Sequence, residues 1–247
     1  MKLFKKPGVQ EIKFIAWNEY AWKNVPKPFP ASQAVPDWWK NESPFVKTPD
    51  NPEGKKLSIH NRIANYSFKK CTPMLDTLTS GYLVPLWSDV LIDSTPEGPK
   101  ISWRVLPDVF EMHGTSAWGV ERPPGYSKVV FKYMTQWNIA TPPGYSVLIT
   151  SPYGYRKANP FKIIDAVFDG DKSQHEIILP CWIQEGFEGI VERGTPMAQI
   201  IPFKRTDWKV AFDYHTQEEH LTIMDRTVRA TIWNNYLRNS HSKKSYK

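Results

Sequence analysis

Residues 141–150 read TPPGYSVLIT. The pentapeptide PPGYS at 142–146 also stands at 123–127. In such a stretch the second proline pre-sets φ at one turn position. The glycine behind it supplies the positive φ that a type II turn demands. An aromatic and β-branched residues then start a strand. Around the two copies, GVERPPGYSKVVFKYM and NIATPPGYSVLITSPY share only the turn and its strand-like sequel. A structural repeat needs more than five letters. The reading is one turn chemistry used twice, in a β-rich chain.

Working outward, strand patterns recur at 80–93, 101–106, 128–134, 137–141, 145–151, 161–169, 175–183, 187–192, 196–205 and 208–214. Gly, Pro and Asp clusters separate them at intervals of about ten residues, the mark of a sandwich or barrel of short antiparallel strands. Aromatics are 14% of the chain and prolines number 22, which fits many strands and many turns.

The ends differ from this body. Residues 1–60 hold FIAWNEYAWKNVPKPFPASQAVPDWWK, with Pro26, Pro28, Pro30 and Pro36. Proline fixes φ and removes a backbone donor, which excludes a central strand or a long helix. The expectation is an extended arm and loop, with Trp17, Trp22, Trp38 and Trp39 needing burial on the body or on a neighbouring subunit. Residues 61–214 form the expected β domain. Residues 215–239 read as a helix, capped by Thr216 with Glu219. Its apolar stripe is Leu221, Met224, Val228, Ile232 and Tyr236. The stripe is expected to dock on the body, with a partner-binding helix as the alternative. Residues 240–247 are a basic tail.

Composition narrows the function classes. The 247 residues are 40% apolar and contain no run long enough to span a membrane. The basic start lacks the apolar stretch of a signal peptide, so a soluble, non-secreted protein is expected. The net charge of +7 sits partly in the two termini. No nucleic-acid-binding fingerprint accompanies it, so nucleic acid is not the expected partner. Cys71 and Cys181 read as packed thiols, with a disulfide as the alternative. The histidines have no metal-ligand spacing, and neither a nucleophile elbow nor a phosphate-binding loop is present.

Three segments in order carry a resemblance: TPPGYSVLITSPYGYRK, then IIDAVFDGD, then GIVERGTPMAQIIPF. Together they resemble the core of the dUTPase and dCTP-deaminase superfamily, the β-clip fold, over about residues 141–203. The segments VPDWWK, KKCTPMLDTLTSGYLVP, TPPGYS and GTPMAQIIPFKR also resemble an uncharacterised tailed-phage protein family, over most of residues 35–208. The first resemblance implies roles. Asp165 falls where dUTPases keep the carboxylate that orients the attacking water and binds the sugar hydroxyl. Phe168 falls where an aromatic packs on deoxyribose. Gln199 falls on the glutamine near the phosphates. Ser151 and Arg156 stand in a loop that lacks the family's Arg-Ser-Ser or Arg-Ser-Gly pattern, and could substitute for it.

The departures matter as much. Val167 replaces a common second aspartate, Asp169 stands where Arg or Gln is frequent, and Leu83 stands where the metal-side motif has its aspartate. No glycine-rich C-terminal motif follows. The resemblance therefore implies a mainly β, dUTPase-like β-clip or jelly-roll-type body that is degenerate and non-catalytic, binding a nucleotide or similar small ligand. No cofactor is expected, with Mg²⁺ only if a triphosphate is bound. Turnover as a nucleotide hydrolase or deaminase is the weaker alternative. A homo-oligomer, with a trimer favoured, and a place in the host cytoplasm or the virion are also implied. A structural or host-interaction protein, using the N-terminal arm and the C-terminal helix, is the competing class. In the bland reading of the same residues, Asp165 caps a hairpin, Phe168 is core or interface and Gln199 bonds backbone across a strand turn.

Overall fold

The structure is a computed structural model. It describes residues 8–59, 62–63, 65–95, 97–113, 121–155, 159–173, 175–233, 241–242 and 244–247, with backbone alone at 59, 62–63, 113 and 226–233. In chain order, β1 (Lys13–Ala16), α1 (Glu19–Asn24), β2 (Phe29–Pro30), α2 (Asp37–Asn41), β3 (Ser58–Ile59), β4 (Arg62–Ile63) and α3 (Thr72–Thr79) come first. Then follow β5 (Tyr82–Pro85), β6 (Val90–Asp93), β7 (Lys100–Ser102), β8 (Phe110–His113), β9 (Val130–Ala140) and β10 (Tyr145–Thr150). The order ends with β11 (Phe161–Ile163), β12 (Ala166–Phe168), β13 (Glu176–Ile183), β14 (Gly189–Val191), β15 (Pro196–Lys204) and α4 (Gln217–Trp233). The chain is mainly β with antiparallel sheets, as expected.

Two units divide these elements. The first comprises Met1–Ala31 and Gly81–Arg205, the second Ser32–Ser80 and Thr206–Lys247. These limits differ from the expected arm of 1–60 and body of 61–214. The reason lies in pairing. β1 joins the ladder of β9, Lys13 opposite Ala140 through Ala16 opposite Trp137, so the start of the arm belongs to a sheet. Residues 208–214 form no strand, which corrects the expectation made for them.

In the first unit, one sheet runs β1-β9-β13-β11 with β8 also on β9, and another runs β12-β10-β15-β5-β2. Both contribute to one apolar core: Tyr133, Trp137 and Ile139 from β9, Ile163 and Leu179 from the same sheet, Val147, Met197 and Ile200 from the other. The buried Tyr133 hydroxyl donates to the Pro85 carbonyl at 2.7 Å, and the Trp87 indole donates to the Met134 carbonyl at 2.8 Å. Both polar ends are thus satisfied inside the core.

Two expected strands at 128–134 and 137–141 are one strand, β9, interrupted by a left-handed residue, Gln136 at φ 62°. Conversely, the expected strand 161–169 is two. β11 pairs β13 in the first sheet, and β12 pairs β10 in the second. The chain changes sheet at Ile164 and Asp165. Both glycines of the two PPGY turns carry positive φ, 79° at Gly125 and 82° at Gly144, as the sequence requires.

In the second unit, β3 and β4 form a small hairpin. Trp39 is buried there, whereas Trp17, Trp22 and Trp38 stay about half exposed within the single chain, so the body does not bury these three. The capping box of α4 is present, with Glu219 N–H donating to Thr216 Oγ1 at 3.3 Å and Thr216 N–H to Glu219 Oε2 at 2.9 Å. Leu221 and Met224 of its stripe are exposed rather than packed. The side chains of Val228, Ile232, Tyr236 and Arg238 lie outside the described residues.

Candidate functional site

The carboxyl end of β10 runs into a loop at 151–155 that forms one wall of a cavity of about 460 Å³. Thr150, Ser151, Pro152, Tyr153, Gly154 and Tyr155 line it from this side. Asn159, Phe161, Lys162 and Asp165 line it from β11 and its flanks, and Pro123 and Tyr126 from the first PPGY turn. The two copies of the pentapeptide therefore differ in role. The first borders the cavity. The second is a clamped turn joining β9 to β10.

Each wall is fixed by a named bond. Ser151 Oγ accepts the Ile163 N–H at 2.9 Å, tying the loop to β11. Gln199, fully buried on β15 opposite Thr150, accepts the Tyr153 N–H through Oε1 at 3.0 Å. Asn159 donates to the Pro196 carbonyl at 2.6 Å and accepts the Phe161 N–H at 2.9 Å. Tyr126 is held by a bridge to Gln184, and its carbonyl accepts from Arg122, which also pairs Glu185. Lys162 Nζ stands 3.8 Å from Asp165 Oδ1, both partly open to water. The described lining thus offers three phenol rings, one ammonium, one carboxylate, one side-chain amide and the hydroxyls of Thr150 and Ser151.

The residues expected at the site divide. Ser151 and Asp165 line the cavity. Gln199 lies beneath the loop and acts on it through backbone. Phe168 is on β12 opposite Val147, half-buried against the core, and does not line the cavity. Arg156 lies outside the described residues. Leu83, at the position of the missing metal-side aspartate, is buried on β5 opposite Gln199. Among the described residues no group of three or more His, Cys, Asp and Glu side chains could hold a metal. Asp165 is the single carboxylate of the lining, so any Mg²⁺ there would take most of its oxygens from a ligand's phosphates and water.

A cluster that the sequence reading missed holds the second PPGY turn. Arg205 makes a bidentate pair with Asp171 and also approaches Asp169 at 3.1 Å. Asp171 accepts the Gly144 N–H at 2.9 Å, and Ser146 Oγ donates to Asp169 at 2.6 Å. The Arg205 hydrogen bond, with the Gly144 amide behind it, holds the Asp171 carboxyl down at about 2. The Ser146 hydroxyl lowers Asp169, with the Arg205 charge assisting. Asp171 in turn raises Arg205. The available signal was DGD at 169–171 followed by a lone arginine after β15. Elsewhere, burial raises Glu176, which accepts the Gln136 N–H at the break in β9.

No family model matches the chain, and no curated protein matches it. Solved structures similar to it include dUTPases of staphylococcal phages. One from phage phi11 of S. aureus is 12% identical with a TM-score of 0.32, over 56% of this chain and 85% of that one. The Staphylococcus bacteriophage 80alpha dUTPase is 10% identical with a TM-score of 0.35, over 84% of this chain and 99% of that one. These belong to the superfamily that the sequence motifs resemble. At such identities and scores the likeness lends no role to any residue of this chain.

Proposed function

We propose that this chain is a phage-type protein that binds a nucleotide or a similar small ligand in the 151–165 cavity without turning it over. The observation that carries the reading is the convergence of Tyr126, Tyr153 and Tyr155 with Ser151, Lys162 and Asp165 around about 460 Å³, the volume of a small-ligand site. Phenol faces suit a planar base. An ammonium suits an anionic group, and a carboxylate suits sugar hydroxyls. The non-catalytic part rests on chemistry. Phosphate hydrolysis needs charge clamps on the phosphates as well as an oriented water. In the described lining, Lys162 is the single cation and already faces Asp165. Such a protein would sequester or sense its ligand, in the host cytoplasm or in the virion.

A thermal-shift panel of deoxy- and ribonucleotides, with and without Mg²⁺, tests this. A ligand at about 100 times its Kd adds about 2.7 kcal/mol, several degrees in Tm. The expected result is a shift that Asp165→Ala abolishes while the unliganded Tm stays unchanged. Silence across the panel overturns the reading.

A second reading, a structural or host-interaction protein, is favoured by the exposed Trp17, Trp22 and Trp38. Removing residues 1–40 is a poor test of it, because that deletion takes β1 out of its sheet.

A further inference from the structure

The sheet β1-β9-β13 has one face on the core and one turned away from it. Trp137 and Ile139 of β9, Ile177 and Leu179 of β13, and Phe14 and Ala16 of β1 pack on the core. By alternation, Ile15, Asn138, Glu176 and Ile178 fall on the outer face. Ile15, Asn138 and Glu176 form one row across the three strands, each directly opposite the next. Trp17 follows β1 and donates its N–H to the Gln136 carbonyl at 3.0 Å, which sets it beside that row.

The polar groups of this row are unmatched within the chain. Asn138 is 9% exposed, and its Oδ1 is buried without a hydrogen-bond partner, the one such side-chain atom among the described residues. An orphaned acceptor of this kind costs stability. Glu176 Oε1 accepts the Gln136 N–H at 2.8 Å and its Nε2 at 3.4 Å. No lysine or arginine pairs with Glu176 among the described residues, in a chain of net charge +7. Glu111 on β8 adds a like charge, so what the row lacks is a cation. Gln136 is also the one non-glycine residue at positive φ among the described residues, and such strained backbone clusters at functional sites. Ile15, Trp17 and Ile178 around it are 47%, 56% and 40% exposed.

We propose that this outer face docks a partner protein through an arginine side chain, whose guanidinium sits between Glu176 and Asn138 and against the Trp17 ring. Charge complementarity selects the group. The row offers acceptors: the second oxygen of Glu176, and the Asn138 amide oxygen, which a half-turn of the amide brings outward. Directly opposed side chains have Cβ atoms about 4.5–5.5 Å apart, within reach of one planar fork of N–H donors. A lysine would bring a compact point charge without that fork. Tryptophan is the best ring for a cation on its face. Ile15 and Ile178 supply an apolar rim that a free guanidinium would not use. A sheet face with such a rim meets protein, and arginine is among the side chains that anchor protein interfaces. The proposal is independent of the cavity reading, and its test reads this face alone.

Titration of the full chain with the peptide acetyl-Ile-Arg-Ile-amide, followed in proton–nitrogen correlation spectra, is the test. The expected shifts fall on the side-chain amides of Asn138 and Gln136 and on the indole N–H of Trp17. Replacing the peptide's arginine by citrulline, its uncharged isostere, should weaken binding by at least about tenfold, and Glu176→Gln should do the same. Asn138→Leu should weaken binding about threefold and leave the free protein at least as stable, since it removes the orphaned oxygen. That variant keeps the test decisive if Glu176→Gln loosens the break at Gln136. No shift of these signals up to about 10 mM peptide overturns the proposal. So do equal affinities for the arginine and citrulline peptides, or undiminished binding in Asn138→Leu. Signals that move with protein concentration alone, with the mass doubled in light scattering, give the face to a second copy and overturn it as well.

Discussion

At Gly81 an added Cβ would stand 2.0 Å from the Ile200 carbonyl oxygen, and φ is +69°. Gly144 has φ +82° but nothing within 4 Å of the same position. The two glycines therefore separate strain from crowding. Gly144→Ala should cost about 1–2 kcal/mol, the left-handed penalty alone. Gly81→Ala should cost clearly more, since β5 must move off β15, and a denaturant melt of both variants checks the difference. The Asp171 pair makes a pH prediction. Its carboxyl is depressed in the folded state from 3.8 to about 2. The stabilisation is thus complete above about pH 4 and is lost as pH falls toward 2. Wild type should exceed Asp171→Asn in Tm by a constant amount above pH 4, with the gap closing below. A gap unchanged down to pH 2 would remove the pair from the account. Gln199 and Asp165 should also behave differently. Gln199→Ala leaves the Tyr153 N–H without its acceptor and should cost about 1–3 kcal/mol of stability as well as binding. Asp165, exposed, should cost binding alone.

At the scale of elements, pattern predicted existence better than partnership. The PPGY turns and the α4 capping box are local chemistry, written in neighbouring residues, and both stand as read. Strand limits needed the third dimension. A run such as FKIIDAVFD looks continuous, yet its halves belong to different sheets. The change of sheet at Asp165 is what leaves that side chain open at the cavity. In β9 the break at Gln136 looks like a turn in sequence, but Glu176 caps the left-handed amide and the ladder continues. Segment 208–214 shows the converse case: the strand pattern is there, and no partner strand stands among the described residues. Hydrogen exchange tests this. Amides of β9 and β13 should exchange slowest, and those of 207–214 fast. Protection at 207–214 as strong as that of β9 would contradict this account.

For the whole molecule, the mainly β character and the C-terminal helix were legible, because they rest on periodicity summed over many residues. Two of the expected site residues, Ser151 and Asp165, meet at one cavity. Gln199 and Phe168 were assigned by alignment to motif letters, which say nothing of which way a buried side chain serves. Gln199 serves the loop, and Phe168 the core. The aromatic part of the lining was not foreseen, since Tyr126 comes from a distant turn and only folding brings it to Tyr153. Arg205 went unread for the same reason, its partners following β12, with β10 lying between that strand and β15. The central claim is one ligand in one cavity. Its most direct measurement is titration calorimetry of the best nucleotide from the panel against wild type and Asp165→Ala. The account predicts one site per chain, binding lost by at least about tenfold in the variant, and no turnover of the ligand in the cell afterwards. Equal affinity in wild type and variant, or quantitative hydrolysis of the ligand, would contradict it.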